Sequence, residues 1–225
     1  WGMEREKMMA YHIDAEKISL DDLQERIESS DLVPSRACLK EGIREKFDLL
    51  KAQGIHTFAN LRRELKNAEK MKKLAALTGI DAGYLNLLRR EIESYFPKPY
   101  PLQEFNWIAA QQIDRLAAGG ISTTLGYFEL AAGADGRDRI ASLGVDEATA
   151  GELCRLCDLT RVQWTSPLSA KMLLEAGYGS AVELANAEPG ALCAALERVN
   201  ADNRFFKGKL GQRDIKRWIH SAGYV

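Results

Sequence analysis

The chain has 225 residues, 46% of them hydrophobic and 28% charged, and its 31 basic and 32 acidic side chains leave a net charge of −1. That length and apolar content suffice for one large or two small buried cores and exclude disorder as the default state. Near-neutrality excludes any global attraction to polyanions.

Charge is nonetheless laid out in blocks along the sequence. Residues 1–35 carry 4 basic and 9 acidic side chains (−5), 36–96 carry 13 and 8 (+5), 97–203 carry 8 and 14 (−6), and 204–225 carry 6 and 1 (+5). Two basic zones thus alternate with two acidic ones, a pattern suited to local anion binding or to head-to-tail self-association.

Taken in chain order, the opening Trp1 reads as a tag remnant or a processed end, with Met3, Met8 and Met9 as candidate native starts, and residues 1–8 are set outside the fold assignment. Ser19 and Asp22 stand at capping-box spacing and predict a helix start within the acidic segment 1–35. Over 36–96, Leu39, Ile43, Phe47 and Leu50 make one helical stripe and Leu85, Leu88, Ile92 and Phe96 another. Pro97-Lys98-Pro99-Tyr100-Pro101 then forbids helix and predicts a stiff, extended linker over 97–104. It divides a first lobe, 36–96, from a second, 105–225. In the second lobe Ser166-Pro167 places a cap residue before a proline suited to the first helical turn, and Ile215, Trp218, Ile219 and Ala222 form a last stripe. Alternating β-branched runs are absent, so the expected fold class is all-α.

Two segments repeat one pattern, Leu50-x-x-x-Gly54-Ile55-x-Thr57 and Leu116-x-x-x-Gly120-Ile121-x-Thr123. Each is followed by a second glycine turn, Gly79-Ile80-Asp81 and Gly144-Val145-Asp146, 25 and 24 residues beyond the first glycine. Equal spacing means that a whole supersecondary unit is reused. A third, more divergent copy opens at Leu173-x-x-x-Gly177-Tyr178-x-Ser180 and lacks a clean second turn, because 192–200 hold no glycine.

Leu143-Gly144-Val145-Asp146-x-x-x-Ala150-x-x-Leu153 resembles the helix-hairpin-helix motif, and Leu77 to Leu88 is a poorer example of it. The resemblance implies tandem helix-hairpin-helix-like repeats in two lobes, and non-specific DNA binding by hairpin N–H groups and the positive end of the next helix. Asp81 and Asp146 stand where that motif has its second glycine. An aspartate there acts as an N-cap, takes the N–H groups that a phosphate needs, and repels the phosphate. More broadly, Asp158-Leu159-x-Arg161, the stretch Leu173 to Leu184, Ala195-Leu196-Glu197-Arg198-Val199-Asn200 and Trp218-Ile219 are similar to the bacterial domain-of-unknown-function 4332 family. That likeness covers about 36–225, is strongest over 140–220, implies a tandem helix-hairpin-helix or SAM-like helical fold, and carries over no catalytic residues.

With the hairpins self-capped, the candidate nucleic-acid contacts are side chains. Arg62, Lys66, Lys70 and Lys73 fall on one face if 61–73 form a single helix, with Arg63 beside them. Arg204, Lys207, Lys209, Arg213, Lys216 and Arg217 sit beside Phe205 and Phe206, which either stack on unpaired bases or anchor the last helix. Cys154-Arg155-Leu156-Cys157 has the spacing of a metal knuckle but lies in a helical apolar stripe, and Cys38, Cys193 and the three histidines complete no four-ligand set. Buried thiols and no metal are expected, and stoichiometric zinc in the purified protein would overturn that. Asp135, Arg137, Asp138 and Arg139 read as solvated turn residues beside Gly133 and Gly136.

No nucleophile elbow, phosphate loop or His-Glu-x-x-His occurs. The expectation is a non-catalytic module with no cofactor. Weak nucleic-acid backbone binding is its leading role, and a protein-interaction or self-assembly scaffold is the alternative. Four cysteines without a basic-then-apolar leader fit a reducing cytoplasm. The charge-free stretch from Leu116 to Phe128 is too short to span a bilayer, so no membrane association is expected.

Overall fold

The computed structural model describes residues 10–208 and 211–225, and among these every regular element is helical. The chain divides into two compact units, Ile13–Phe96 and a second made of Pro97–Val225 with the segment ending at His12.

In the first unit, α1 (Leu20–Ser29) starts on the Ser19–Asp22 capping box that the spacing predicts. A 3-10 turn (Pro34–Lys40) leads to α2 (Ile43–Ala52), α3 (Phe58–Glu64), α4 (Ala68–Thr78) and α5 (Ala82–Glu93). Leu20, Leu23 and Ile27 of α1 share one core with Phe47, Leu50, Phe58, Leu61, Leu85 and Leu88. The acidic segment from residue 13 onward is thus part of the first lobe's core rather than a separate element.

The second unit opens on residues read from sequence as a linker. They are extended, as the prolines require, but they pack: Pro101 pairs with Thr123 in an antiparallel bridge, Leu102 N–H donates to Ser122 at 2.8 Å, and Leu102 is buried. A short 3-10 turn (Leu102–Glu104) is followed by α6 (Ala110–Ala118), α7 (Thr124–Ala132), α8 (Gly136–Ser142) and α9 (Glu147–Leu159). Beyond these come α10 (Pro167–Glu175), α11 (Ala181–Ala185), α12 (Pro189–Asn203) and α13 (Gln212–Ala222). Ser166 caps α10 with Pro167 at its first position. Residues Arg137 to Arg139, expected in a loop, are helical. Gly136 opens α8 because a Cβ there would lie 2.1 Å from the Leu130 carbonyl oxygen, so only glycine lets the chain turn this closely out of α7.

The repeated pattern corresponds to one repeated turn. Gly54, Gly120 and Gly177 have φ of 79°, 83° and 93°. At Gly120 an added Cβ would meet nothing, so the left-handed backbone alone demands glycine. The next residue's N–H then reaches back to a carbonyl in the last helical turn: Ile55 to Leu50 at 3.3 Å, Ile121 to Leu116 at 2.9 Å and Tyr178 to Leu173 at 3.0 Å. Two residues on, Thr57, Thr123 and Ser180 cap the following helix by accepting from Asn60, Gly126 and Glu183 N–H groups at 3.2, 3.2 and 3.1 Å.

In the first two copies the residue after the cap also donates to a preceding extended segment, Phe58 to Ile18 and Thr124 to Tyr100, both at 2.9 Å. The third copy has no such segment. Ala181 N–H donates instead to the Asp158 carboxylate at 2.7 Å. Asp158 also holds Arg161, whose Nε donates to Asp158 Oδ1 at 2.8 Å and whose Nη1 donates to the Ala10 carbonyl at 3.1 Å. Arg161 is only 2% exposed, and its guanidinium lies 4.7 Å from the centre of the Phe128 ring. One carboxylate therefore supports both a buried cation and the start of α11.

Two stability outcomes follow. Thr123→Ala removes one helix cap and is expected to cost about 1 kcal/mol in urea unfolding. Asp158→Ala strands a buried guanidinium and frees a helix-end N–H, and is expected to cost about 3 kcal/mol or more by the same measurement. Asp158→Asn retains an acceptor and should fall between wild type and alanine.

Candidate functional site

The second glycine turns bear on whether the backbone can hold a phosphate. Gly79 and Gly144 have φ of 72° and 79°, and Ile80 and Val145 are buried behind them. Asp81 caps α5, accepting from Tyr84 N–H at 2.9 Å, and Asp146 caps α9, accepting from Thr149 N–H at 2.8 Å and Thr149 Oγ1 at 3.0 Å. Asp146 N–H itself donates to Gln112 Oε1 at 3.3 Å, and Arg115 Nη1 donates to the Gly144 carbonyl. At each helix start the third N–H, of Tyr84 and of Thr149, is thus taken by the cap carboxylate, which also sets a negative charge where an anion would sit. The Thr149 N–H bond, more than any other contact, holds the Asp146 carboxyl below its ordinary range.

The first basic zone is not one stripe. Residues 61–73 are broken between α3 and α4, because Leu65 turns into the core and Asn67 starts a new helix by accepting from Lys70 N–H at 3.0 Å. The expected single face of Arg62, Lys66, Lys70 and Lys73 is corrected accordingly: Arg62 and Arg63 lie on α3, Lys66 in the connector, and Lys70 and Lys73 on α4. Arg62 makes a two-point pair with Glu93, both bonds at 2.9 Å, and stacks 3.6 Å from the Phe96 ring centre. Lys70 pairs with Glu64 at 3.0 Å and Arg63 with Glu16 at 3.6 Å. Lys66 and Lys73 are exposed and have no carboxylate partner among the described residues. Arg62, Arg63 and Lys66 meet Arg89 and Glu93 of α5 around a cleft of about 440 Å³.

The second zone lies at the α12–α13 connector and along α13. Arg204 ends α12 at φ 54°, a left-handed position that non-glycine residues rarely take. The Asn200 side chain secures the bend, accepting from Phe206 N–H at 2.7 Å and donating to the Phe206 carbonyl at 2.9 Å. The aromatic pair divides between the two roles: Phe205 packs against the core and Phe206 is 48% exposed. Arg204, Lys207, Arg213 and Lys216 are exposed, and Arg217 is half-buried beside Asp214 at 3.6 Å. Lys209 lies outside the described residues.

Cys154 and Cys157 sit one turn apart on α9 as free thiols, and burial pushes both thiols up. Among the described residues no group of three or more His, Cys, Asp or Glu side chains is arranged to hold a metal, and no helix is long and apolar enough to cross a membrane. Sequence reasoning missed Arg89, which reads as an ordinary helix-surface residue, and Trp164. Trp164 is 47% exposed at φ 66°, while Arg161, Val162, Gln163 and Thr165 around it are buried.

The second unit is thus a series of helices, three of whose connections, at Gly120, Gly144 and Gly177, are capped left-handed glycine turns. The chain belongs to the DUF4332 family, a domain of unknown function, whose model matches residues 106–224, just over half of the chain. The matched stretch includes the Asp158–Arg161 pair and the α12–α13 connector. No curated protein and no solved structure matches the chain.

The depressed Asp146 carboxyl has a definite pH consequence. Its cap contributes stability above the carboxyl's ordinary range, and that contribution is lost as pH falls through the lowered folded value. The gap in Tm between wild type and Asp146→Ala should be full at pH 7 and shrink progressively below about pH 4. A gap unchanged down to pH 2 would show that the charge plays no part.

Proposed function

We propose that this protein is a non-catalytic helical module that holds nucleic-acid backbone weakly and without sequence preference, through side-chain cations rather than hairpin amides. The observation that carries the reading is the α12–α13 connector. There an exposed Phe206, its backbone held by Asn200, stands in sequence between exposed Arg204 and Lys207, exposed Lys216 follows on α13, and Asp214 is the one acid in 204–225. An aromatic ring among cations offers stacking to an unpaired base and charge to its phosphates. We read the three copies as helix-hairpin-helix derivatives. The left-handed glycines, buried aliphatic residues and capped helix starts at 79–81 and 144–146 support that descent. The aspartates mark the loss of the phosphate-binding amides.

The test is anisotropy of a labelled single-stranded oligonucleotide at increasing salt. Wild type should bind at low salt and release steeply. Lys207→Glu with Lys216→Glu should abolish binding at moderate salt, and Lys207→Gln with Lys216→Gln should flatten the log–log slope by about 0.7 per contact removed. Phe206→Ala should weaken single-stranded more than duplex binding. Absence of any complex at low salt, or glutamate variants that bind as wild type does, would overturn the reading.

Trp164 favours a second reading, a self-assembly scaffold. A large aromatic held exposed on a strained backbone is the kind of residue that anchors protein interfaces. Sedimentation across a concentration series separates the two. A scaffold gives an oligomer that Trp164→Ala dissolves, whereas the nucleic-acid module gives a monomer whose oligonucleotide binding survives that substitution.

A further inference from the structure

The break between α3 and α4 disperses the stripe that a polymer backbone would follow, but it gathers charge at a point. Arg62 and Arg63 from α3, Lys66 from the connector and Arg89 from α5 line one cleft of about 440 Å³, against a single carboxylate, Glu93. Glu93 is already engaged at both oxygens by Arg62. The Arg63–Glu16 contact at 3.6 Å joins two exposed side chains and offsets little charge. Arg89 donates through Nη2 to Asn86 Oδ1 at 3.1 Å, its Nε is buried with no hydrogen-bond partner, and among the described residues no ion pair to a carboxylate is formed by it. Lys66 is likewise unpaired and exposed. Four cations thus face one satisfied anion, an excess of three positive charges in a concave space large enough for a phosphate and a small organic group.

We infer that this cleft is a binding site for a terminal phosphate monoester, the dianion carried by a mononucleotide or by the 5′ end of a strand. A diester backbone spreads single charges along a line and suits an extended stripe. A monoester concentrates nearly two charges and three acceptor oxygens at one point, which suits converging donors. Arg89 supplies planar donors uncommitted to any carboxylate, Lys66 a mobile point charge, and the Arg62–Glu93 pair stacked on Phe96 a fixed wall. This site is built from residues of the first unit alone and shares none with the α12–α13 connector, so either assignment can fail alone.

The experiment is calorimetric titration of the full chain with 5′-AMP, adenosine and inorganic phosphate, and with a trinucleotide bearing or lacking a 5′-phosphate. AMP and phosphate should bind and adenosine should not, and AMP should bind more tightly at pH 7.5 than at pH 5.5, because its second proton leaves near pH 6. Arg89→Gln and Lys66→Gln should each weaken AMP about tenfold. Lys73→Gln, on α4 away from the cleft lining, and the Lys207/Lys216 glutamine pair should leave it unchanged. The exposed Lys66 variant keeps the test decisive even if Arg89→Gln unfolds. A phosphorylated trinucleotide that outcompetes AMP identifies a strand end as the source, and AMP binding alone identifies the mononucleotide. Equal binding of AMP and adenosine, equal binding of both trinucleotides to the Lys207/Lys216 glutamine variant, or the same loss from Lys73→Gln as from Lys66→Gln would overturn the assignment.

Discussion

A helix start leaves backbone N–H groups without partners, and this chain satisfies them with its own side chains at turn after turn. Thr57, Thr123 and Ser180 do so after the first glycine of each copy, and Asp81 and Asp146 after the second. Each cap lets another helix begin three or four residues after a left-handed glycine. Helices this short do not hold alone in water. They persist because capped ends and buried aliphatic residues such as Leu50, Ile55, Leu116 and Leu173 act together.

The same constraint shapes what the protein can bind. A turn whose cap is a carboxylate opposes an anion by charge and takes one of its N–H donors, however closely its sequence follows a phosphate-binding motif. In the proposed reading charge recognition is left to side chains, and the fold distributes these unevenly. Some are consumed by structure: Arg161 is buried on Asp158, Arg115 braces Gly144, and Arg62 and Lys70 are matched by Glu93 and Glu64. Others stay available, at the α12–α13 connector and around the cleft of the first unit. Counting lysines and arginines in a basic zone therefore overstates its attraction for a polyanion.

What the sequence discloses follows from how local each feature is. The capped glycine turns are legible because glycine, aliphatic residue and Ser, Thr or Asp stand within four positions and act on each other directly. The break at 65–67 hides, since Leu65 fits the helical stripe, although Asn67 at a capping position was the available signal. Gly136 opens a helix only because the chain passes so close to Leu130, which no local pattern records. The roles of Phe205 and Phe206 separate through packing against the core. Arg89 joins Arg62 and Lys66 only when α5 lies beside α3, a pairing that spacing along the chain does not encode. Asp158 and Arg161 were visible as family residues, whereas the use of that carboxylate in place of an extended segment's carbonyl needed the third copy in three dimensions.

The most direct test of the account is residue-level NMR titration of the labelled protein with a short single-stranded oligonucleotide at low salt. The account predicts that the largest amide shifts fall in 204–217, with the first turns of α5 and α9 unmoved because Asp81 and Asp146 keep their N–H groups. Dominant shifts at Gly83, Tyr84, Ala148 and Thr149 would mean that the caps yield to phosphate, and would contradict it.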